Sequence, residues 1–204
     1  MRMSTAALGL LVTFVSGGAW ALEQPGKGGI TIVDGLPGWW QAGSNPTAYV
    51  VTIDRQITHG GRASARLASR VPTATGFGSL MQVAAVDRYR GKRIRLSAWV
   101  KSDAMVRYAG LWLRIDAPDQ EPTHALASDA MQSRPISGTR DWRRYEIVLD
   151  VAPTAADIAF GAHLSGSGTI WVDDFQIEIV DASVPVTNHS RPRNLDFERY
   201  LKEQ

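Results

Sequence analysis

Tryptophans and planar polar side chains are the residues of this sequence whose chemistry is most easily connected to ligand binding. A flat apolar ring stacks on the C–H face of a sugar ring, and planar polar groups bond its hydroxyls. In the strand pattern described below, most of these residues lie opposite rows of aliphatic side chains. The candidate ligand-binding residues are Trp39, Trp40, Gln82, Arg95, Trp99, Trp112, Arg114 and His163.

Trp99 and Trp112 would form one exposed platform, beside Arg95 and Arg114, if their strands are neighbours in a sheet. The alternative is that each ring covers the second side of a sheet or fills a twisted core, as tryptophan commonly does. For either ring considered alone, the structural alternative is favoured. The row of several such residues is what favours a binding face.

Trp39 and Trp40 follow Pro37-Gly38 and are placed for a role at a loop tip. Adjacent residues on an extended chain point in opposite directions. We therefore expect one indole to pack against the protein while the other is exposed for ligand stacking.

Three aspartates are candidates for a structural calcium site. Calcium prefers several carboxylate and carbonyl oxygens, and Asp34 could meet Asp173 or Asp174 where the opening and closing strands adjoin. The alternative is that Asp173 and Asp174 lie at a β-bulge and accept backbone N–H groups or face water. Apart from this calcium, the sequence implies no cofactor.

Sequence signatures of catalysis are missing. There is no G-x-S-x-G elbow, H-E-x-x-H zinc motif, phosphate loop or dinucleotide fingerprint. The four histidines are scattered, and the carboxylates Asp116, Asp119 and Glu121 are too close in sequence to face each other across a glycosidase cleft. We therefore expect no catalytic residues.

The amino-terminal residues have the pattern of a secretory signal peptide. Arg2 is positive, residues 6–15 are apolar, and Ala19-Trp20-Ala21 is a small-x-small cleavage pattern. The apolar run is shorter than the roughly 20 residues that span a bilayer, so an uncleaved anchor is the lesser alternative. We expect cleavage of residues 1–21, a periplasmic or extracellular location, and no membrane span in the mature chain.

The amino-acid composition restricts the classes of possible binding partner. The chain has 22 basic and 20 acidic side chains, so no strong field favours nucleic acid or an anionic membrane. Cysteine is absent, which excludes disulfides and a cysteine nucleophile. The stability of the fold must come from its core.

Alternation of apolar and polar residues, interrupted by Gly or Pro about every ten residues, predicts an all-β fold. The predicted strands are 30–33, 48–54, 63–69, 77–86, 93–102, 106–116, 142–151, 158–164 and 169–180. These nine or so strands would form a two-sheet antiparallel β-sandwich, with the aliphatic rows between the sheets. Residues 117–141 read as a long loop in which Asp129, Met131 and Arg134 contact a ligand or tie the loop down.

Four segments resemble the strands of carbohydrate-binding-module jelly rolls of the family four and nine type, which are galactose-binding-domain-like. They are GGRASARL at 60–67, GKRIRLSAWVK at 91–101, DWRRY at 141–145 and GTIWVDDF at 168–175. The resemblance covers residues 30–180 and implies a jelly roll over 22–183, with Trp142 and Trp171 in its core. Residues 184–204 would be a linker or the start of a second domain.

This resemblance implies an exported, non-catalytic binding module whose partner is most simply a glycan. One alternative is a protein-interaction or accessory module of an exported or envelope assembly, with an exported protein as partner. A weaker alternative is a small exported hydrolase. The opening strand departs from the family, because the usual N-x-x-F-E is missing there and Phe197-Glu198 occurs near the end instead.

Overall fold

The computed structural model describes residues 31–118 and 125–188 of the 204-residue chain. The predicted signal peptide, the residues Phe197 and Glu198, and the last part of the predicted tail lie outside these ranges. In the described ranges no helix is long and apolar enough to cross a membrane.

Eleven strands make up the described fold, together with two short 3-10 helices at Pro46–Ala48 and Asp87–Tyr89. The strands are β1 (Thr31–Ile32), β2 (Trp40–Gly43), β3 (Tyr49–Asp54), β4 (Ser64–Ser69), β5 (Phe77–Ala85), β6 (Arg93–Asp103), β7 (Tyr108–Asp116), β8 (Ala125–Asp129), β9 (Arg140–Asp150), β10 (Asp157–Ser165) and β11 (Thr169–Val180). All nine predicted strands are present. The two that the pattern missed, β2 and β8, have only four and five residues, too few for a clear period.

The strands form two antiparallel sheets. The six-stranded sheet has the order β1-β2-β5-β10-β7-β8, and the five-stranded sheet has the order β3-β4-β11-β6-β9. Consecutive strands such as β6 and β7 therefore lie in different sheets. The all-β, two-sheet sandwich predicted from the sequence is confirmed.

The core lies between the sheets and consists of the aliphatic rows that the alternation predicted. Ile94 and Leu96 of β6 and Ile158 of β10 are completely buried there. Tyr49 is buried among them, and its hydroxyl donates to the carbonyl oxygens of Gly76 and Gly166. Burial raises the pKa of this phenol, so it stays a neutral donor.

A β-bulge interrupts β11, as the broken alternation predicted. The register of β11 with β6 shifts between Asp173 and Gln176, and Asp174 has a left-handed backbone conformation (φ 53°). The extra residue turns Phe175 toward the core, where its ring lies 5.1 Å from that of Trp39. The bulge thus places both aspartates on the outside of the five-stranded sheet.

The segment predicted as a long loop contains β8 and is tied to its neighbours. The Asp129 carboxylate accepts the backbone N–H of Met131 (2.8 Å) and the guanidinium of Arg134 (2.8 Å). Met131 is buried, and its sulfur accepts the N–H of Leu111 on β7. These three predicted loop residues hold the segment down.

The residues after β11 turn back along the five-stranded sheet. The Arg93 guanidinium pairs with Asp150 (2.7 and 3.0 Å) and donates to the carbonyl oxygen of Val184 (2.6 Å). Thr187 then exchanges hydrogen bonds with the backbone of Val148 on the edge strand β9. Contacts with the sandwich therefore continue past the predicted boundary at residue 183.

Candidate ligand-binding face

The outer face of the six-stranded sheet carries a second apolar cluster, separate from the core. We call it the outer cluster. It consists of the buried residues Ala42, Met81, Trp112 and Ala159, with Trp40, Val83 and Ala130 packed against them. A sheet facing water on this side would not need such a cluster, which makes this face the candidate site.

Trp112 reaches across this face to the strand beyond its neighbour in the sheet. On β7 it shares parity with Gly110 and Arg114, while Leu111 and Leu113 point into the core. Its partner in register on β10 is Gly161, which has no side chain. The indole reaches across β10, and its N–H donates to Ser79 Oγ on β5 at 2.9 Å.

Arg114 is nearly buried on the same face, with 3% exposure. Its guanidinium is paired with the carboxylate of Asp116, two residues along the same strand, with an Nη2 to Oδ2 distance of 2.9 Å. A buried charge needs such a partner. The Arg114 charge is therefore compensated within the sheet.

Three half-buried rings form what we call the aromatic corner at one end of this face. His163 of β10 lies edge-on between Phe77 of β5 (6.4 Å between ring centroids) and Tyr108 of β7 (5.8 Å). Burial lowers the pKa of His163 to about 4 and raises the pKa of Tyr108. Both groups are neutral near pH 7, so the corner offers ring surface and polar edges without charge.

Trp39 and Trp40 point to opposite sides of the six-stranded sheet, as expected. Trp39 packs on the core against Phe160 (5.6 Å between ring centroids), and Trp40 joins the outer cluster. Gln82 does not reach the outer face. It shares the core side with Leu80, and its amide donates to the carbonyl oxygen of Gly38 (3.2 Å).

The expected platform of Trp99 beside Trp112 is wrong, because β6 and β7 belong to different sheets. Trp99 lies on the outer face of the five-stranded sheet, with the ring of His59 stacked on it at 3.8 Å. Arg95 is on the same face, with its Nε 3.6 Å from Glu146. The eight candidates thus fall on three surfaces, and Trp40, Trp112, Arg114 and His163 share one.

The candidate calcium site is not assembled, and the alternative of bulge aspartates that accept backbone N–H groups is what the structure shows. The Asp173 carboxylate accepts the backbone N–H groups of His59 (3.0 Å) and Gly60 (3.2 Å), while Asp174 contacts the His59 ring at 2.9 Å. Asp34 does not join them. In the described part of the chain, no three His, Cys, Asp or Glu side chains are arranged to hold a metal ion. The residues present therefore do not fit the calcium implied by the resemblance.

Trp142 and Trp171 were expected in the core; Trp171 is buried, and the expectation is wrong for Trp142. Trp171 has the outward parity on β11, between the core residues Ile170 and Val172, and is buried there with its N–H donating to Asp54 (2.9 Å). Trp142 is half-buried, with its ring edge-on to His59 at 5.7 Å. Both rings support the outer face of the five-stranded sheet.

Sequence reasoning missed Phe77, Ser79, Met81 and Tyr108 on the candidate face. Tyr108 shares the parity of Trp112 on β7, so extending the same alternation by two steps toward the start of the strand would have found it. Ser79 and Met81 share the parity of Phe77 on β5. Choosing Gln82 for its chemistry selected the wrong side of that strand.

The chain is similar to the uncharacterized HTH-type transcriptional regulator YbfP of Bacillus subtilis (strain 168), with 41% identity over 176 residues. The match covers 82% of this chain and 59% of that protein, so the chain spans less than two thirds of the relative's length. This relative contradicts the expected function of an exported, non-catalytic binding module. The expected signal peptide and location, and the hydrolase alternative, stay predictions. No family model matches the chain.

Solved structures resemble the sandwich at low sequence identity. One is the enzymatically active domain of bacteriophage CBA120 tailspike protein 4, with a TM-score of 0.53, 18% identity, and coverage of 71% of this chain and 20% of that one. Another is the CBM22-1-GH10 modules of Clostridium thermocellum endo-1,4-beta-D-xylanase 10B complexed with xylohexaose, with a TM-score of 0.51, 14% identity, and coverage of 71% and 26%. The jelly-roll fold of carbohydrate-binding modules, predicted from the motifs, is confirmed.

Proposed function

We propose that this sandwich is the effector-binding module of a transcriptional regulator of the HTH type, and that it binds a small saccharide on the outer face of its six-stranded sheet. The observation that carries the proposal is the 41% identity with such a regulator over most of the chain. This proposal replaces the exported binding module that was expected from the sequence.

The assignment to effector binding follows from what the matched residues form. A helix-turn-helix reads DNA with an α-helix in the major groove. Residues 31–118 and 125–188 contain strands and two 3-10 helices, and no α-helix. The match covers 82% of the chain, so it includes most of the sandwich. DNA reading is therefore assigned to another part of the regulator, and the sandwich to sensing.

The class of effector follows from the chemistry of the outer face. The rings of Trp40, Phe77 and Tyr108 are each half-buried, so each leaves part of its surface open. Stacking on such rings suits the C–H faces of a sugar. The hydroxyls of the sugar can exchange hydrogen bonds with His163 and with the Tyr108 hydroxyl, which also bonds Ser165. A solved structure that includes a module of the same fold is a complex of CBM22-1-GH10 modules with xylohexaose, which supports this ligand class.

Binding is tested by calorimetric titration with a panel of neutral mono- and oligosaccharides, including xylose, galactose and their oligomers. Trp40→Ala should weaken the binding of any sugar that the wild type binds by roughly 1–3 kcal/mol. Trp99→Ala is the matched control, because it also removes a half-buried indole but lies on the other sheet. Equal losses in both variants, or no binding by the wild type, would contradict the ligand site.

The regulatory half of the proposal is tested separately by measuring transcripts. A deletion strain should change the level of a defined set of transcripts. A strain carrying Trp40→Ala should lose the response of that set to the bound sugar, while Trp99→Ala should keep it. A deletion strain with an unchanged transcript profile would rule out a regulator.

A further inference from the structure

Arg107 adds a positive charge to the neutral aromatic corner. It precedes β7, and its guanidinium carbon lies 5.9 Å from the centre of the Tyr108 ring. Tyr108 in turn contacts His163, which contacts Phe77. The arginine therefore extends the aromatic corner by one cationic group at the end of the candidate face.

The stem of Arg107 is held by the turn between β10 and β11. Gly166 has a left-handed backbone conformation (φ +74°), and a Cβ atom there would lie 2.8 to 3.1 Å from the Cβ, Cγ and Cδ atoms of Arg107. The absence of a side chain at residue 166 therefore leaves the space that the arginine stem occupies. Packing of the stem and the ring contact together limit the positions of the guanidinium.

The charge of Arg107 is available to a ligand. Among the residues that the structure describes, the charged pairs on or beside the outer face are internal to the protein: Arg114 with Asp116, and Arg134 with Asp129. Among the ion pairs of the described residues, none includes Arg107. His163 and Tyr108 are neutral near pH 7, so they neither repel nor neutralise an anion beside Arg107.

We propose that the effector is an anionic saccharide, with its sugar ring against Phe77, Tyr108 and His163 and its carboxylate or phosphate on the Arg107 guanidinium. This inference rests on the proposed function and narrows its ligand class. The planar guanidinium donates two parallel N–H bonds to either kind of anion, so carboxylate and phosphate share the same recognition chemistry. A neutral sugar would use the rings alone.

The test is a titration of the wild type with matched sugars that differ in charge: glucose, glucuronate and glucose 6-phosphate, and the corresponding galactose series. The anionic members should bind about five- to tenfold more tightly than the neutral one, and the advantage should shrink in high salt. Comparing glucuronate with glucose 6-phosphate shows whether a carboxylate or a phosphate binds more tightly at the aromatic corner.

Arg107→Gln should reduce the affinity for the anionic sugar to that for the neutral one, and Arg107→Lys should restore part of the preference. Arg62→Gln is the control, because it removes the same charge from an exposed loop at the other sheet. Binding of neutral and anionic sugars with equal affinity would overturn this inference and leave the proposed function intact. Binding of none of them would overturn the proposed site itself.

Retention of the charge preference in Arg107→Gln would also overturn the inference. If Arg107→Gln does not fold, as judged by circular dichroism, Arg107→Lys provides the test. A lysine keeps the charge and loses the bidentate fork, so the preference should fall without disappearing. An unchanged preference for the anionic sugar in Arg107→Lys would overturn bidentate recognition by Arg107.

Discussion

The surroundings of Trp112 decide what its ring can do. Its partner in register is Gly161, which lies tight against the backbone of Leu80 and Met81, and its indole bonds to Ser79 on the strand beyond. The ring is 1% exposed, packed with Met81 and Ala159. The Trp112 indole is therefore a structural part of the outer face. The rings at the margins of that face are the ones with surface open to a ligand.

Trp112→Ala should therefore lower the free energy of unfolding by roughly 3–5 kcal/mol, because the truncation leaves a large cavity and removes the hydrogen bond to Ser79, whose hydroxyl keeps its bond to the carbonyl oxygen of Ala162. Trp99→Ala should cost clearly less, since its ring is half-buried on the other sheet. Urea unfolding followed by circular dichroism measures both. A loss below about 1 kcal/mol for Trp112→Ala would show that the ring is not buried.

His163 makes stability depend on pH in a predictable direction. Burial lowers its pKa from 6.5 to about 4, so between these values the unfolded chain binds a proton that the folded chain excludes. Stability contributed by neutral His163 is complete above about pH 6.5 and is lost as the pH falls toward 4. We expect the loss to be about 1–3 kcal/mol.

His163→Gln removes this titration while keeping a planar polar side chain. The change in unfolding free energy between about pH 7 and pH 4.5 should therefore be smaller in the variant than in the wild type. The difference between the two proteins isolates His163 from the carboxylates, which titrate in both. Identical pH dependence in wild type and variant would mean that His163 is solvated.

At the scale of elements, the bulge of β11 anchors the loop between β3 and β4. Asp173 accepts two backbone N–H groups of that loop, and Asp54, at the end of β3, accepts the N–H groups of Ile57 and Gln56 and the indole of Trp171. These donors, that of Ile57 first, lower the pKa of Asp54. The loop is thus held by carboxylate hydrogen bonds at the candidate calcium site.

Asp173→Ala should lower the free energy of unfolding by about 1 kcal/mol, because two partly exposed N–H groups exchange a carboxylate for water. Asp34→Ala is the control and should change stability little, since Asp34 lies in an exposed turn. Thermal unfolding of the wild type should be the same in calcium and in chelator. A calcium-dependent rise of several degrees would contradict this account of the loop.

At the scale of the whole molecule, the sandwich is one jelly roll whose two outer faces differ. The six-stranded sheet carries the outer cluster and the aromatic corner, while the five-stranded sheet carries the rings of Trp99, Trp142 and Trp171 beside the ion pairs of Arg95 and Arg144 with Glu146. Exposed ion pairs of this kind contribute little to stability and keep a sheet face solvated. This asymmetry supports the six-stranded sheet as the ligand side.

The regulatory proposal makes a prediction about the amino terminus that opposes the sequence pattern. A regulator acts on DNA in the cytoplasm, so the working protein should retain residues 1–21. Cell fractionation with amino-terminal sequencing checks this. A mature chain that begins at Leu22 in the periplasm or medium would support the signal-peptide interpretation and contradict the regulator.

The sequence by itself determined the architecture. Period-two alternation identified the core residues of three strands, because side-chain direction along a strand depends only on local geometry. They are Ile94 and Leu96 on β6, Leu111 and Leu113 on β7, and Ile158 and Phe160 on β10. The same rule placed Trp112, Arg114 and His163 on the non-core side of their strands. The break in alternation at Asp173 located the bulge.

Only the tertiary structure decided which non-core sides meet. The alternation of side chains indicates that Trp99 and Trp112 both point away from the core, but the strand order places them on opposite surfaces of the sandwich. Strand order depends on pairings between distant segments, such as β5 with β10, which no local pattern encodes. For the same reason Phe77, Tyr108 and His163, from three strands far apart in the chain, form one aromatic corner only after the six-stranded sheet has assembled.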